Sequence, residues 1–331
     1  MKMWRAVASL VLLAVVGAAG AAAWWLNRPL DLSAESVEVS IEPGTSPRDI
    51  ALAWVQAGVQ ASPRWLYEWF RWSGQSRKIR AGSYEIGAGV TPIALLNKMV
   101  RGDETLAVVR LIEGWTFRQF RAELAKADSL KPTTATLTDE QLMQALGAPG
   151  IAPEGRFHPD TYAYSKGSSD LAVLKRAYRA MQKRLEAAWQ ERSPDTPLAS
   201  VDDALVLASI VEKETGVGAD RGRVAGVFVN RLRLGMPLQT DPTVIYGLGT
   251  AFDGNLRKRD LLADTPFNTY TRAGLPPTPI AMPGNASLLA AVHPDPTKAL
   301  YFVSRGDGSS EFSETLADHN RAVNRYQRRS K

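Results

Sequence analysis

A long uncharged run at the amino terminus limits most strongly how this chain can fold. Residues 6–26 form 21 positions without a charged side chain, with two basic residues before them and the pair Trp24-Trp25 at their end. A helix of that length spans a bilayer, and paired tryptophans are typical of the membrane interface. We therefore expect residues 1–30 to be a cytoplasmic tip and a transmembrane anchor, with everything after residue 30 outside. The alternative is a cleaved signal peptide, because small residues precede Trp24.

Composition excludes several kinds of chemistry. The 331 residues include no Cys, three His, 40 Lys+Arg and 34 Asp+Glu. Without Cys, catalysis must use carboxylates, hydroxyls, amides or the few histidines. The charge is too balanced for a nucleic-acid-binding surface, and no phosphate loop or GxSxG motif stands at a useful place. His293 and His319 lie near aspartates but lack helical HxxxH spacing, so we expect no metal and no other cofactor.

Three strand–turn–helix units are predicted after the anchor. The segments VEVSI, SYEI and LAVVRLI favour strands, and each is followed by a turn and by a pattern of helical period. A further helix at 62–74 carries Trp65, Trp69, Phe70 and Trp72, which at this spacing favour core packing over a sugar-stacking surface. Residues 105–331 then form a second, larger domain, with a polar connecting lobe at about 128–150.

One apolar helix presents two glutamates. Residues 201–216 begin with Asp202 and Asp203, continue through eight residues that are apolar apart from Ser209, and are predicted to end at Gly216. Such a helix is buried. Glu212 and Glu214 follow the apolar stretch, but two residues correspond to about 200° of rotation, so the two carboxylates cannot form a close acid and nucleophile pair. Burial would raise the pKa of a carboxyl in this place, as a general acid requires; the alternative is two surface glutamates paired with basic residues.

Five segments together resemble one protein family. EGRFHPDTYAY, LASIVEKETG, NRLRLGMPLQTDPTVIYG, FNTYTRAGLPPTPIAMPG and YFVSRGDGSSEFSETLADHN occur in this order over 154–320. They are similar to the endolytic murein (peptidoglycan) transglycosylases, also called YceG-like. Residues 36–104, through VSIEPGTSPRDIA and their element order, resemble a small βααβ LysM-like module. The resemblance implies an α+β fold: the anchor, the LysM-like module and a mixed α+β catalytic domain that is distantly lysozyme-like.

The resemblance also implies a reaction. A single-pass protein of the bacterial inner membrane, facing the periplasm, would cut nascent peptidoglycan strands between N-acetylmuramic acid and N-acetylglucosamine. The family's catalytic acid corresponds to Glu214, because in lysozyme-like transglycosylases this glutamate is followed by Ser or Thr, here Thr215. The same group acts as acid and then as base, and leaves a 1,6-anhydro end.

Polar loop residues are the candidates for binding the sugars. Segments 230–249 and 265–284 are rich in Gly, Pro, amides, hydroxyls and Tyr, which suits ordered loops that bind a polar ligand. The candidate substrate-binding residues, each of which loop scaffolding would explain equally well, are Gln239, Asp241, Tyr246, Asn268 and Tyr270, with Thr215 beside the acid. Glu154 and Tyr162 are expected to brace the domain.

Two other functions stay open at this stage. The chain could be a lysozyme-like hydrolase in which Asp241, or Glu212 as an accessory carboxylate, activates water. It could instead be an anchored glycan-binding scaffold without chemistry. Peptidoglycan strands and the inner membrane are the expected partners, together with membrane-embedded cell-wall synthases.

Overall fold

The computed structural model describes residues 2–328 and shows a mixed α+β chain with one apolar helix at its amino terminus. Contacts group the chain into two units. Unit 1 runs to Val108 and adds Asp128–Leu130 and Ala163–Ser168, whereas unit 2 contains Val109–Ala127, Lys131–Tyr162 and the chain from Ser169 onwards. The domain boundary expected near residue 104 stays a prediction.

Unit 1 begins with the apolar helix and continues as a small α+β body. Its elements are α1 (Lys2–Asn27), β1 (Ser36–Ile41), α2 (Pro47–Ala57), α3 (Pro63–Trp72), β2 (Gly82–Gly87) and α4 (Pro92–Arg101), followed by β3 (Leu106–Arg110). Strands β1 and β2 pair antiparallel, with Ser36 opposite Gly87 and Ile41 opposite Gly82. The element order from β1 to β2 is therefore βααβ.

Helix α1 has the length and composition of a membrane span. Its stretch Ser9–Asn27 has a mean hydropathy of 2.0 and none of it is buried. A cleaved signal sequence near an amino terminus has the same properties. The structure therefore agrees with a single-pass anchor in length and composition.

The predicted strand–turn–helix units are confirmed, and hydroxyl caps explain where their helices begin. Ser46, Thr91 and Thr116 each precede a helix, and each accepts a hydrogen bond from the backbone N–H three residues further on. Such a cap satisfies one of the free N–H groups of the first turn.

The aromatic helix α3 only partly enters the core. Phe70 is fully buried, and Trp69 packs against the same cluster and donates its indole N–H to the Pro92 carbonyl. Trp65 and Trp72 are 59% and 79% exposed, so the expectation of core packing was wrong for these two rings. They lie seven residues apart and therefore share one side of the helix, away from the face of Leu66 and Phe70 that the core covers.

Unit 2 is mainly helical. Its elements are α5 (Phe117–Lys126), α6 (Asp139–Ala145), β4 (Thr161–Ser165), α7 (Asp170–Gln190), α8 (Val201–Glu214), α9 (Gly218–Arg233), α10 (Asp241–Leu248), α11 (Lys258–Leu262), α12 (Asn285–Val292), β5 (Tyr301–Ser304), β6 (Ser310–Ser313) and α13 (Leu316–Val323). Strand β4 has residues in both units, since Ala163–Ser165 belong to unit 1, and β5 pairs antiparallel with β6. The core is formed mainly by α7, α8, α9 and α12.

Helix α8 is the central element of unit 2. The helix begins at a capping box, since Ser200 accepts from the Asp203 N–H and the Asp203 carboxylate accepts from the Ser200 N–H. All eight residues from Ala204 to Val211 are buried. The helix ends at Glu214, because Thr215 already has an extended backbone, so the predicted end at Gly216 was two residues too late.

One glycine next to the core is required by both backbone and packing. Gly155 has φ +79°, and a Cβ placed on it would lie 2.5 Å from Cβ of Pro279. Gly150 has almost the same φ, +77°, but has nothing within 4 Å of that position. A comparison of substitutions at Gly155 and Gly150 therefore separates the cost of backbone strain from the cost of steric overlap.

We expect Gly155→Ala to destabilise unit 2 more than Gly150→Ala. Both variants place a side chain in the left-handed region, which costs about 1 kcal/mol, and overlap with Pro279 adds about 1–3 kcal/mol. Urea unfolding of both variants and the unsubstituted chain measures the difference in free energy. Equal losses would show that the contact with Pro279 carries no cost.

Candidate active site

Helix α8 ends with the carboxyl that the sequence analysis selected. The helix is buried along 204–211, and its one polar side chain there, Ser209, donates to the Val206 carbonyl and accepts from the Ile280 N–H. The one polar group within this buried stretch is thus satisfied. Glu214, the last helical residue, leaves this core in a half-buried position.

The surroundings of Glu214 favour its neutral form. The Thr240 hydroxyl donates to one carboxyl oxygen. Burial raises the pKa of Glu214, and the charge of Asp241 raises it further, whereas the Thr240 hydrogen bond and the charge of Arg231 act in the opposite direction. The net shift is upward. The carboxyl therefore keeps its proton to higher pH than an exposed glutamate, as a general acid must.

Glu212 binds a different segment from Glu214, as the helical spacing predicts. Its carboxylate accepts a hydrogen bond of 2.9 Å from the Gly284 N–H, at the cap of α12. The carboxyl of Glu113 lies near the same glycine, because a Cβ on Gly284 would overlap it. Burial and the charge of Glu212 raise the pKa of Glu113. The two glutamates of α8 therefore serve different parts of unit 2.

A strained loop brings Thr240 to Glu214. Gln239 has φ +52°, which is uncommon for a residue other than glycine. Its N–H donates to the Thr269 carbonyl, and the Thr240 N–H donates to the Thr269 hydroxyl. Arg231, itself buried, donates to the carbonyls of Pro237 and Leu238 and so holds the loop from the other side. Strain of this kind persists where surrounding contacts over-determine the backbone.

The predicted binding residues fall into two groups. Asp241, which is exposed, accepts a hydrogen bond from the Tyr270 hydroxyl, and the charge of Asp241 acts on Glu214. Burial raises the pKa of Tyr270, and the hydrogen bond to Asp241 raises it further. Gln239 is exposed on the same loop. These three residues lie on the segments that surround the acid.

Asn268 and Thr215 instead have local structural contacts. The Asn268 side chain is buried, its NH₂ donates to the carbonyls of Asp260, Leu261 and Ala263, and its oxygen accepts from the Tyr270 N–H. The Thr215 hydroxyl accepts from the Val217 N–H in the turn after α8. Both amide hydrogens of Asn268 are engaged in its own loop, which favours the scaffolding alternative for it.

A large cleft opens beside the last turn of α8. Its volume is about 1320 Å³. Lys213 lines it from α8, Tyr246 from α10 and Glu154 from the segment before β4. This volume exceeds the range of about 300–1,000 Å³ that is usual for a small-molecule pocket. Glu214 itself is not among the residues that line the cleft.

Glu154 is a buried carboxyl at the edge of this cleft. It is 7% exposed, and burial raises its pKa to about 7. Hydrogen bonds from the Phe117 N–H and from the Tyr246 hydroxyl act in the opposite direction. The contacts agree with the bracing role predicted for Glu154. The contacts of Tyr162 also agree with a bracing role, since its buried hydroxyl donates to the His158 carbonyl.

Sequence reasoning did not find two parts of this site. Thr240 precedes the predicted residue Asp241 but was not singled out as the partner of Glu214, and Arg231 was not considered. Neither contact has a local sequence signal, because 26 residues separate Thr240 from Glu214 along the chain.

The comparisons with known proteins identify the family. The YceG-like family model matches residues 39–325. The chain belongs to the YceG-like family. A Bacillus subtilis protein named endolytic murein transglycosylase is 33% identical to it over 312 residues. The aligned residues are 89% of this chain and 86% of that protein. A Streptococcus pneumoniae protein of the same name is 24% identical over 329 residues, which are 89% of this chain and 59% of that protein.

A solved YceG-like structure has the same fold. The crystal structure of a YceG-like protein from Listeria monocytogenes aligns with a TM-score of 0.54 and 28% sequence identity, over 87% of this chain and 98% of that one. The family match contains every residue of the candidate site and leaves α1 outside. The site is therefore part of the shared YceG-like region.

We expect Glu154 to make the stability of this YceG-like chain depend on pH. Between its ordinary pKa of 4.5 and the folded-state value of about 7, the folded chain keeps a proton that the unfolded chain has released. The free energy of unfolding should therefore fall as pH rises through this window, by about 3 kcal/mol for a shift of this size.

Glu154→Gln tests this expectation, because the amide does not titrate. Urea unfolding at pH 4.5, 6 and 8 should show the fall in the unsubstituted chain and not in the variant, which should be the more stable protein at pH 8. Parallel pH profiles of the two proteins would contradict the assignment.

Proposed function

We propose that this chain is an endolytic murein transglycosylase in which Glu214 acts first as general acid and then as general base. The observation that carries the proposal is a carboxyl with a raised pKa at the end of a buried helix, in a chain of the YceG-like family. The preceding residue, Lys213, lines a large cleft. Its relatives named endolytic murein transglycosylase span most of this chain. The substrate is peptidoglycan.

The first step is protonation of the leaving group. Neutral Glu214 donates its proton to the glycosidic oxygen between N-acetylmuramic acid and N-acetylglucosamine, and the bond from the muramic anomeric carbon to that oxygen breaks. The sugar develops oxocarbenium character. The Thr240 hydroxyl donates to one oxygen of Glu214 and leaves the other oxygen to carry the proton.

The second step uses a nucleophile from the substrate itself. Glu214, now a carboxylate, accepts the proton of the muramic 6-hydroxyl while this oxygen bonds to the anomeric carbon. The product is a 1,6-anhydro end, no water is consumed, and Glu214 regains its proton. Attack within one sugar ring gains its rate from proximity. The reaction therefore needs one carboxyl, in agreement with the separate hydrogen-bond partners of Glu212 and Glu214.

Three loop residues are our candidates for orienting the sugars. Asp241, Gln239 and Tyr270 lie on the segments around Glu214 and offer both donors and acceptors to hydroxyl and N-acetyl groups. Tyr246 lines the cleft and would contact a neighbouring sugar. Asn268 and Thr215 would support these contacts indirectly, through the backbone of their own segments.

A hydrolase is the second candidate, and one electrostatic interaction favours it. Asp241 is exposed and its charge acts on Glu214, so a water between the two could be activated. Glu212 has weaker support in this role, because its carboxylate already accepts from Gly284. In a third possibility the chain binds glycan without chemistry and acts as a scaffold. The nature of the product ends separates all three.

The same proposal includes the arrangement of the rest of the chain. The βααβ order from β1 to β2 supports a LysM-like glycan-binding module at 36–104, and we retain a distant lysozyme-like relationship for the catalytic part. Helix α1 would anchor the chain once in the bacterial inner membrane, with the rest of unit 1 and all of unit 2 in the periplasm. Cell-wall synthases in that membrane are the proposed protein partners.

We expect Glu214→Gln to lower the rate of anhydro-end formation by at least about 100-fold, because it removes the general acid and base. The measurement is mass spectrometry of the ends formed when the full chain, in detergent, acts on peptidoglycan strands. Glu212→Gln is the matched comparison on the same helix. Its amide oxygen can still accept from Gly284, so activity should stay within a few-fold of the unsubstituted chain.

Three outcomes would change the assignment. Ordinary reducing ends from the unsubstituted chain would make it a hydrolase, and a matching loss in Glu212→Gln would assign the base to that residue. Anhydro ends at an unchanged rate in Glu214→Gln would remove Glu214 from the chemistry. No new ends from any of the proteins, with strand binding retained, would support the scaffold.

A further inference from the structure

Glu154 joins two helices of unit 2 at the edge of the cleft. We propose that Glu154, in its neutral form, is a positioning residue that ties α10 to the start of α5 and thereby keeps Thr240 and Asp241 in place beside Glu214. The inference rests on the proposed function and deepens it. It assigns to Glu154 the control of the pH range in which Thr240 and Asp241 stay beside Glu214.

The first end of the tie is the amino terminus of α5. The backbone N–H of Phe117, the first residue of α5, donates to both carboxyl oxygens of Glu154, at 3.0 and 3.2 Å. This N–H is among those at the start of a helix that have no partner within it. Glu154 also precedes Gly155, whose close packing against Pro279 fixes the backbone at this point.

The second end is on α10. The Tyr246 hydroxyl lies 3.2 Å from Oε2 of Glu154, and its ring packs edge-on against Phe267 at 5.0 Å between centroids. Tyr246 is therefore held by Glu154 at its hydroxyl and by an aromatic contact at its ring. Because both ends of the Tyr246 side chain are in contact, the side chain and the part of α10 that carries it are fixed relative to Glu154.

Helix α10 connects this tie to the catalytic carboxyl. The helix starts at Asp241, directly after Thr240, the residue whose hydroxyl donates to Glu214. Tyr246 lies five residues further, about 7.5 Å along the axis. Over so short a distance a helix moves as a rigid rod, so displacement of Tyr246 would displace Thr240 and Asp241 as well.

Burial, and not its hydrogen bonds, favours the neutral form of Glu154. Burial raises its pKa to about 7, and its hydrogen-bond partners at Phe117 and Tyr246 are uncharged. The Phe117 N–H and the Tyr246 hydroxyl both donate to the carboxyl, and these hydrogen bonds lower its pKa by less than burial raises it. Ionisation would leave a buried charge without a cationic hydrogen-bond partner, and water entering to solvate it would loosen the tie.

Charged groups on the surrounding elements also act on Glu154. The charge of Asp139 on α6 raises its pKa. The other charged side chains that line the same cleft are Arg118 and Arg121 on α5, Glu140 on α6 and Lys213 on α8. Because these groups are identical in the unsubstituted chain and in Glu154→Gln, a pH-dependent difference between the two proteins is assigned to Glu154.

The test compares Glu154→Gln with Glu154→Ala in the full chain. Glutamine keeps the shape and resembles the neutral carboxyl, whereas alanine removes both ends of the tie. We expect Glu154→Gln to match the unsubstituted chain at pH 6 and Glu154→Ala to be much less active at every pH. Glu186→Gln, the same change at an exposed position on α7, is the matched control.

The pH dependence is the decisive measurement. The ratio of the unsubstituted rate to the Glu154→Gln rate should fall about tenfold from pH 6 to 8, since a single group with a pKa of about 7 loses that much of its neutral form. Titration of Glu214 affects both proteins and cancels in the ratio. A ratio that stays constant, or a Glu154→Gln variant as inactive as Glu154→Ala at pH 6, would overturn the proposal.

Hydrogen exchange tests the same tie without using activity. After correction for intrinsic exchange, the amides of α10 should lose protection from pH 6 to 8 in the unsubstituted chain and keep it in Glu154→Gln. Equal protection in the two proteins would overturn the positioning role even if the enzyme is active. If α10 loses protection from pH 6 to 8 as expected but the chain forms no product ends, the positioning role of Glu154 is supported. The proposed function is then refuted instead.

Discussion

Burial of α8 on all of its faces is the constraint on which the rest of unit 2 depends. A helix that is apolar on every side needs neighbours on every side, and α7, α9, α10 and α12 all pack against it. Its first turn carries the exposed Asp202, and at its last turn the loops that follow α9 and precede α12 hydrogen-bond to Glu214 and Glu212. The packing that excludes water from the core also raises the pKa of Glu214, so the same feature stabilises the fold and prepares the acid.

The buried carboxyl of Glu154 and the half-buried carboxyl of Glu214 both have raised pKa values, and both hydrogen-bond to one segment of the chain. Thr240 donates to Glu214, and Tyr246 lies within hydrogen-bond distance of Glu154. Each partner is an uncharged hydroxyl, which satisfies the carboxyl without a strong preference for its ionised form. Thr240 directly precedes α10 and Tyr246 lies on it. We therefore expect ionisation of Glu154 to move Thr240 relative to Glu214.

A buried cation organises the other side of the site. Arg231 donates to the carbonyls of Leu300, Pro237 and Leu238, and its guanidinium lies 5.1 Å from the centre of the Tyr301 ring. These contacts fix the loop that carries Thr240. The charge of Arg231 lowers the pKa of Glu214, but burial of the carboxyl has the larger effect, so the acid remains neutral over a wider pH range than an exposed glutamate.

Local patterns in the sequence determined the apolar terminal helix, the strand–turn–helix units, the capping box of α8 and the opposite directions of Glu212 and Glu214. Each of these depends on residues within about one or two helical turns, where periodicity and cap chemistry act directly. Tertiary structure alone decided that Thr240 is the partner of Glu214, that the Asn268 amide is engaged in its own loop, that Trp65 and Trp72 stay exposed, and that Glu154 bridges α5 and α10. Those outcomes depend on which distant segments meet and on how much water they exclude, and a sequence pattern encodes neither.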